Sequence, residues 1–222
     1  MRTAFLFDLN GTMIDDMEYH VRAWTGVLNE DLKAGLTDKQ IRAQMYGKNG
    51  ELFDRVFGVG HFNQEEMVKW SMEKEKRYQK AYLPHLKLIT GLDDFLLEAR
   101  AQGVALGIGT AAIPFNLDFV LDNLKLRPYF DAIVTADDVA LSKPNPEVYL
   151  KCAALLHTPP ERCIVFEDAP KGVEAALNAG MQAVVILSTL HGLEDFADYP
   201  NIIRYIHDYT EISAAVLQER LQ

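Results

Sequence analysis

Short apolar runs recur along the chain, each closed by small or acidic residues, with stretches of helical period between them. The runs are Thr3–Phe7, Val104–Gly109, Ala132–Thr135, Cys163–Phe166, Ala183–Leu187 and, more weakly, Ile202–Ile206. No hairpin turn joins them. This strand–helix–strand rhythm predicts an α/β fold with a Rossmann-like parallel sheet. Such sheets take their ligands beyond the carboxyl ends of the strands. The first four runs are followed at once by Asp8, Thr110, Ala136-Asp137-Asp138 and Glu167-Asp168, so polar groups should gather along one edge.

The interval between the first two runs breaks the rhythm. It carries amphipathic helical period without a buried-strand run, and its candidate helices are Glu18–Leu32, Thr37–Met45, Glu51–Phe57 and Gln64–Tyr82. Gly47, Gly58 and Gly60 punctuate them, and Pro84 and Gly91 mark the return to the strand pattern. The expected organisation is a core domain from residues 1–14 and 86–222, with a small helical domain, 15–85, inserted after the first strand.

Composition narrows the function. The 222 residues are 49% hydrophobic, enough for a sizeable core. With 22 basic against 32 acidic residues the formal charge is -10, which disfavours non-specific nucleic-acid binding, since phosphate neutralisation needs clustered Lys and Arg. The first apolar run is too short for a signal sequence or a membrane span, so a cytoplasmic protein is expected, with monomer as the default. Cys152 and Cys163 form no ligand-like spacing and read as buried thiols.

The chemistry should sit at the strand ends. Asp8 and Asn10 lie two apart after a buried run, and Gly11-Thr12 turns the chain sharply there. A carboxylate so placed is either a turn cap or a nucleophile screened by a cation. Thr110 suits a helix cap or a phosphate contact, which use the same geometry. Lys143, before Pro144, is either a solvated loop charge or a partner for anions. Glu167 and Asp168, adjacent at the end of an apolar run, would repel one another without a cation, so they point to a metal.

These segments together resemble the haloacid dehalogenase superfamily. Asp8-Leu9-Asn10-Gly11-Thr12 is similar to its first motif, Asp-x-Asp-Gly-Thr, with Asn10 in place of the second aspartate. Thr110 matches the hydroxyl of the second motif, Lys143 the lysine of the third, and Glu167-Asp168 the acidic fourth. The resemblance implies phosphoryl transfer through an aspartyl-phosphate on Asp8. By the same likeness Thr110 and backbone amides orient the phosphoryl group and Lys143 balances its charge. Mg²⁺ would be held by Asp8, Asp168, the main-chain carbonyl of Asn10 and Glu167, directly or through water, and the partner would be a small phosphorylated metabolite.

The position of the insert is that of the cap in the β-phosphoglucomutase and phosphoglycolate phosphatase-like subgroup. Asp15 through Trp24 resembles that subgroup's first cap segment, which implies substrate-binding roles for His20 and Trp24. Lys74 is similar to a cap lysine that recognises substrate, although with Lys76 and Arg77 beside it a solvated face is the preferred reading. Two departures stand out. Asn10 neither gives nor takes a proton at neutral pH, so it lacks the acid–base role of the usual aspartate, commonly about 10²–10⁴-fold. In the cap, Lys48 stands where an arginine is expected and offers a point charge without the bidentate fork. Ala111, next to Thr110, is taken as a substrate-binding position although its side chain is apolar. The readings carried forward are a mutase- or phosphatase-like enzyme with an altered acid–base group, a phosphatase for good leaving groups such as acyl phosphates, and a catalytically weakened phosphate-binding or regulatory protein.

Overall fold

The computed structural model describes residues 2–187 and 190–221. The apolar runs form β1 (Ala4–Phe7), β2 (Ala105–Gly109), β3 (Ala132–Val134), β4 (Cys163–Glu167), β5 (Gln182–Ile186) and β6 (Ile202–Ile206). The main helices are α1 (Met17–Thr25), α2 (Asp38–Gln44), α3 (Asn49–Phe57), α4 (Gln64–Tyr82), α5 (Leu92–Ala101), α6 (Pro114–Asn123), α7 (Glu147–Leu155), α8 (Pro170–Asn178) and α9 (Ala214–Arg220). The chain divides into two compact units, Met1–Asp15 with Lys87–Gln222, and Asp16–Leu86. Each crossing lies one residue beyond the boundary read from the sequence.

In the first unit all strands pair in parallel in the order β3-β2-β1-β4-β5-β6, the α/β class expected from the pattern. The order reverses at β1, whose neighbours β2 and β4 lie on opposite sides, so the switch point falls where Asp8 leaves the sheet. Burial on both faces explains why β1 is an unbroken apolar run rather than an alternating one. Ala4 and Leu6 pack with Val165, Tyr149, Cys152 and Leu156. Phe5 and Phe7 face the other way: Phe7 stacks on Phe166 with ring centroids 4.5 Å apart, and Phe5 on Phe95 at 5.7 Å. A fully buried Phe contributes about 1.5–3 kcal/mol, so this aromatic block fixes the strand from which Asp8 emerges. Cys152 and Cys163 are buried free thiols, and burial pushes both up to about 12.

The second unit is helical, with Trp24, Val27, Leu28, Ile41, Leu52 and Phe53 at its centre. Its helix starts follow local chemistry. Thr37 with Gln40 caps α2, and Asn63 with Glu66 caps α4, each pair exchanging side-chain and backbone hydrogen bonds. One expectation fails: Glu18–Leu32 is not a single α-helix, because α1 gives way at Gly26 to a π-helical segment, Gly26–Asp31, closed by Leu32 N–H donating to Val27 O at 3.0 Å. Gly26, a poor helix former, lies where a Cβ would stand 3.0 Å from the Arg77 guanidinium. Among the described residues, no helix is long and apolar enough to cross a membrane.

Candidate active site

Asp8 is held at the sheet edge by its own backbone, whose N–H donates to Phe166 O at 3.0 Å and continues the β1–β4 pairing. The next residues must turn at once. Gly11 adopts φ +73°, and a Cβ there would overlap the Asp168 carboxylate, so only glycine admits this approach. The turn is closed by Gly11 N–H donating to Ile14 O and Met13 N–H to Leu9 O, both 2.9 Å. Thr12 Oγ1 donates to Asp168 Oδ1 at 3.4 Å, and Tyr209 Oη to Thr12 O at 3.0 Å, which ties the β1 loop to the end of β4 and to the chain's C-terminal region.

Lys143 joins two carboxylates. Its Nζ donates to Asp8 Oδ1 and to Glu167 Oε1, each at 2.6 Å, with all three side chains nearly buried. Burial pushes Asp8 up; Lys143 opposes this and Glu167 adds to it, leaving Asp8 at about 6. For Lys143, burial favours the neutral amine, but Asp8 and Glu167 outweigh it and hold the ammonium charged well above its ordinary range. The Lys143 charge also lies 4.7 Å from the centre of the Tyr149 ring.

Both oxygens of Glu167 are engaged by protein donors. Oε1 accepts from Lys143 and from Tyr149 Oη at 2.8 Å, while Oε2 accepts from the backbone N–H groups of Asp168 and Ala169, both 3.0 Å. Four protein donors thus occupy its two oxygens, so Glu167 positions Lys143 and shapes the β4 loop. Gly172 belongs to the same device, since a Cβ there would overlap the Glu167 carboxylate. Thr110, buried after β2, donates its N–H to Val134 O at 3.0 Å, and its Oγ1 accepts from Ala112 N–H at 3.1 Å. Ala111 follows it, half-buried, as does Asn10 after Leu9.

The helical unit gathers its own polar cluster. Lys74 is only 3% exposed, which overturns the solvated-face alternative. Its ammonium donates to His20 Nδ1 at 2.7 Å and to Glu75 Oε2 at 2.9 Å, and lies 5.2 Å from the Trp24 ring centre. His20 therefore carries its proton on Nε2, which faces Asp16 Oδ2 at 3.2 Å, and its ring stacks on Tyr78 at 3.8 Å. Asn49 Nδ2 completes the row by donating to Glu75 Oε1 at 2.7 Å. Lys48 is half-buried at the N-cap of α3, its backbone N–H donating to Glu51 Oε2 at 3.0 Å.

The chain carrying this cluster matches the family model for haloacid dehalogenase-like hydrolases over residues 5–186. The chain belongs to this family. Fructose-1-phosphate phosphatase of Escherichia coli is 32% identical over 184 residues, covering 82% of this chain and 94% of its own. β-Phosphoglucomutase of Bacillus subtilis is 27% identical over 196 residues, covering 82% of this chain and 81% of its own. The crystal structure of β-phosphoglucomutase from Clostridium difficile matches with a TM-score of 0.84 at 25% identity, covering 100% of this chain and 97% of that one.

Within this haloacid dehalogenase-like core, sequence reasoning missed Tyr149 and Tyr209. Neither was singled out in the sequence, and both rings are buried in the core. Only the hydroxyls betray the site. Tyr149 is pushed well above its ordinary range by burial, then by Glu167 and Asp8, and Tyr209 by burial, then by Asp168 and Asp8, so both remain neutral donors beside the carboxylates.

Proposed function

We propose that the chain is a Mg²⁺-dependent phosphoryl-transfer enzyme acting on a small sugar phosphate, with the Asp8 carboxylate as the attacking group. The observation that carries this reading is the double contact of Lys143 with Asp8 and Glu167, a fixed cation beside an anionic nucleophile. The fructose-1-phosphate phosphatase and β-phosphoglucomutase relatives support the substrate class.

The donors fit a hard cation. Asp8 and Asp168 leave adjacent strands, and Gly11 lets the Asp168 carboxylate lie against the backbone that follows Asn10, so two carboxylates and a main-chain carbonyl would hold the ion. Such an ion would take the rest of its shell from water and substrate. Bound Mg²⁺ would polarise the phosphoryl oxygens and screen Asp8 from their charge.

The chain's own groups then divide the work. Asp8 attacks phosphorus in line while Lys143 balances the charge on the equatorial oxygens. Thr110 and the backbone amides after Asp8 orient the group. Glu167 and Tyr149 act through Lys143 as positioning residues. In the helical unit His20, Trp24 and Lys74 form one cluster suited to substrate recognition, and Lys48 would add a further cationic contact.

Asn10 favours a second reading, a phosphate-binding protein of weak turnover, because its amide cannot protonate a leaving oxygen or activate water. Steady-state assay with Mg²⁺ across sugar phosphates and an acyl phosphate separates the two. The enzyme reading expects turnover, greatest with the acyl phosphate, and at least about tenfold more with Asn10→Asp. No turnover by either protein, with phosphate still bound, would favour the binder.

A further inference from the structure

Asn10 is followed by Gly11, and the fold leaves no other choice at the second position. Gly11 takes a left-handed φ of +73°, and any side chain there would overlap the Asp168 carboxylate. An asparagine at position 10 must therefore stand in the Asn-Gly pairing, the dipeptide in which main-chain attack on a side-chain amide is least hindered. We propose that Asn10 is a deamidation site, and that its conversion to aspartate supplies the acid–base carboxylate absent from the encoded chain.

The chemistry needs only water. The Gly11 amide nitrogen loses its proton and attacks Asn10 Cγ; the new N–Cγ bond closes a succinimide as the Cγ–Nδ2 bond breaks and ammonia departs. Water adding at Cγ reopens the N–Cγ bond and leaves an aspartate in normal linkage at this position. Water adding instead at the Asn10 main-chain carbon breaks the peptide N–C bond and gives the isoaspartyl chain, whose extra backbone atom displaces the loop. Only the first product restores a carboxylate at its proper place.

The fold sets the pace. Asn10 is half-buried rather than enclosed, so water reaches it. The Gly11 N–H, however, donates to Ile14 O at 2.9 Å, and Ile14 is itself bridged to Leu88. That hydrogen bond withholds the attacking nitrogen, so conversion waits on opening of a loop that closes a single turn. The chain has one other Asn-Gly pair, Asn49-Gly50, where the Asn49 amide donates to Glu75 at 2.7 Å. It serves as an internal reference for the incubation.

The gain in activity rests on the proposed phosphoryl-transfer reading, whereas the conversion itself does not. Freshly purified full-length protein should be incubated at mildly alkaline pH and sampled over days. Peptide mass spectrometry with linkage-resolving fragmentation follows position 10 while phosphatase turnover is assayed with Mg²⁺. The expected result is an amide-to-acid mass shift at residue 10 and turnover that rises with the normally linked fraction, extrapolating to at least about a tenfold gain. Asn10→Gln should show neither change with time. An intact Asn10 in the folded chain, under conditions that convert it in urea-denatured chain, overturns the proposal. Activation that does not track the normally linked product overturns it as well. The directly encoded Asn10→Asp keeps the two ideas apart: if that variant is inactive the phosphoryl-transfer reading fails, while an active variant beside an unconverted wild type sinks the deamidation alone.

Discussion

Lys143 is the residue on which the core cluster turns. Its ammonium separates two buried carboxylates that would otherwise face each other, and breaking a buried pair by removing one partner costs about 3–5 kcal/mol. Lys143→Ala is expected to lose about 3 kcal/mol in urea unfolding and to cut turnover by at least about 10²-fold; unchanged turnover would remove Lys143 from the chemistry. Asp8 behaves in the opposite sense. Because burial raises its folded-state value above the ordinary 3.8, ionised Asp8 opposes folding at neutral pH. Asp8→Asn should therefore be inactive and at least as stable as the wild type, measured by turnover and thermal unfolding. Tyr149→Phe keeps the ring and deletes the donor to Glu167, for an expected loss of about 1–3 kcal/mol in the same unfolding assay.

At the scale of elements, the site depends on how loops and helix ends are closed. Glu98 on α5 receives Ser213 Oγ at 2.7 Å, Ala214 N–H at 2.9 Å and Ala215 N–H at 3.3 Å, satisfying the open N-terminus of α9. Burial alone would raise Glu98, but these donors outweigh it and hold it below its ordinary 4.5. Its stabilisation is complete above that value and fades as pH falls through the lower folded-state one. Glu98→Ala should cost about 1–2 kcal/mol at pH 7, with the gap to wild type closing in acid; a pH-independent gap would reject the cap. The strands were legible within a residue or so because burial on both faces writes them as apolar runs, as in β1 and β4. The π-helical turn at Gly26 was not, since an α-helix and its widened variant share one apolar period. The placement of Asp8, Thr110 and Asp168 just beyond the strands was legible because each follows an apolar run, and Lys143 stood out because it lies in a short polar motif. The engagement of Glu167 was hidden, because its partners Lys143 and Tyr149 come from distant sequence, and the same is true of the buried Lys74–Glu75 pair, which reads as a charged helix face.

At the scale of the molecule, two units coexist, each with its own core and its own buried cation: Lys143 between carboxylates in the sheet unit, Lys74 between His20 and Glu75 in the helical one. The departure at Asn10 gives the whole protein a distinctive kinetic expectation. On the proposed reading a good leaving group needs little acid, so transfer to Asp8 should proceed, while hydrolysis of an aspartyl-phosphate would lack a carboxylate base at position 10 and should lag. Rapid acid quench after mixing with an acyl phosphate and Mg²⁺, followed by peptide mass spectrometry, reads this directly. Phosphate is expected on Asp8, accumulating to a large fraction of the protein, absent without Mg²⁺ and less abundant at steady state in Asn10→Asp. Phosphate on another residue, or none on Asp8 under conditions where the acyl phosphate is consumed, would contradict covalent transfer through this carboxylate.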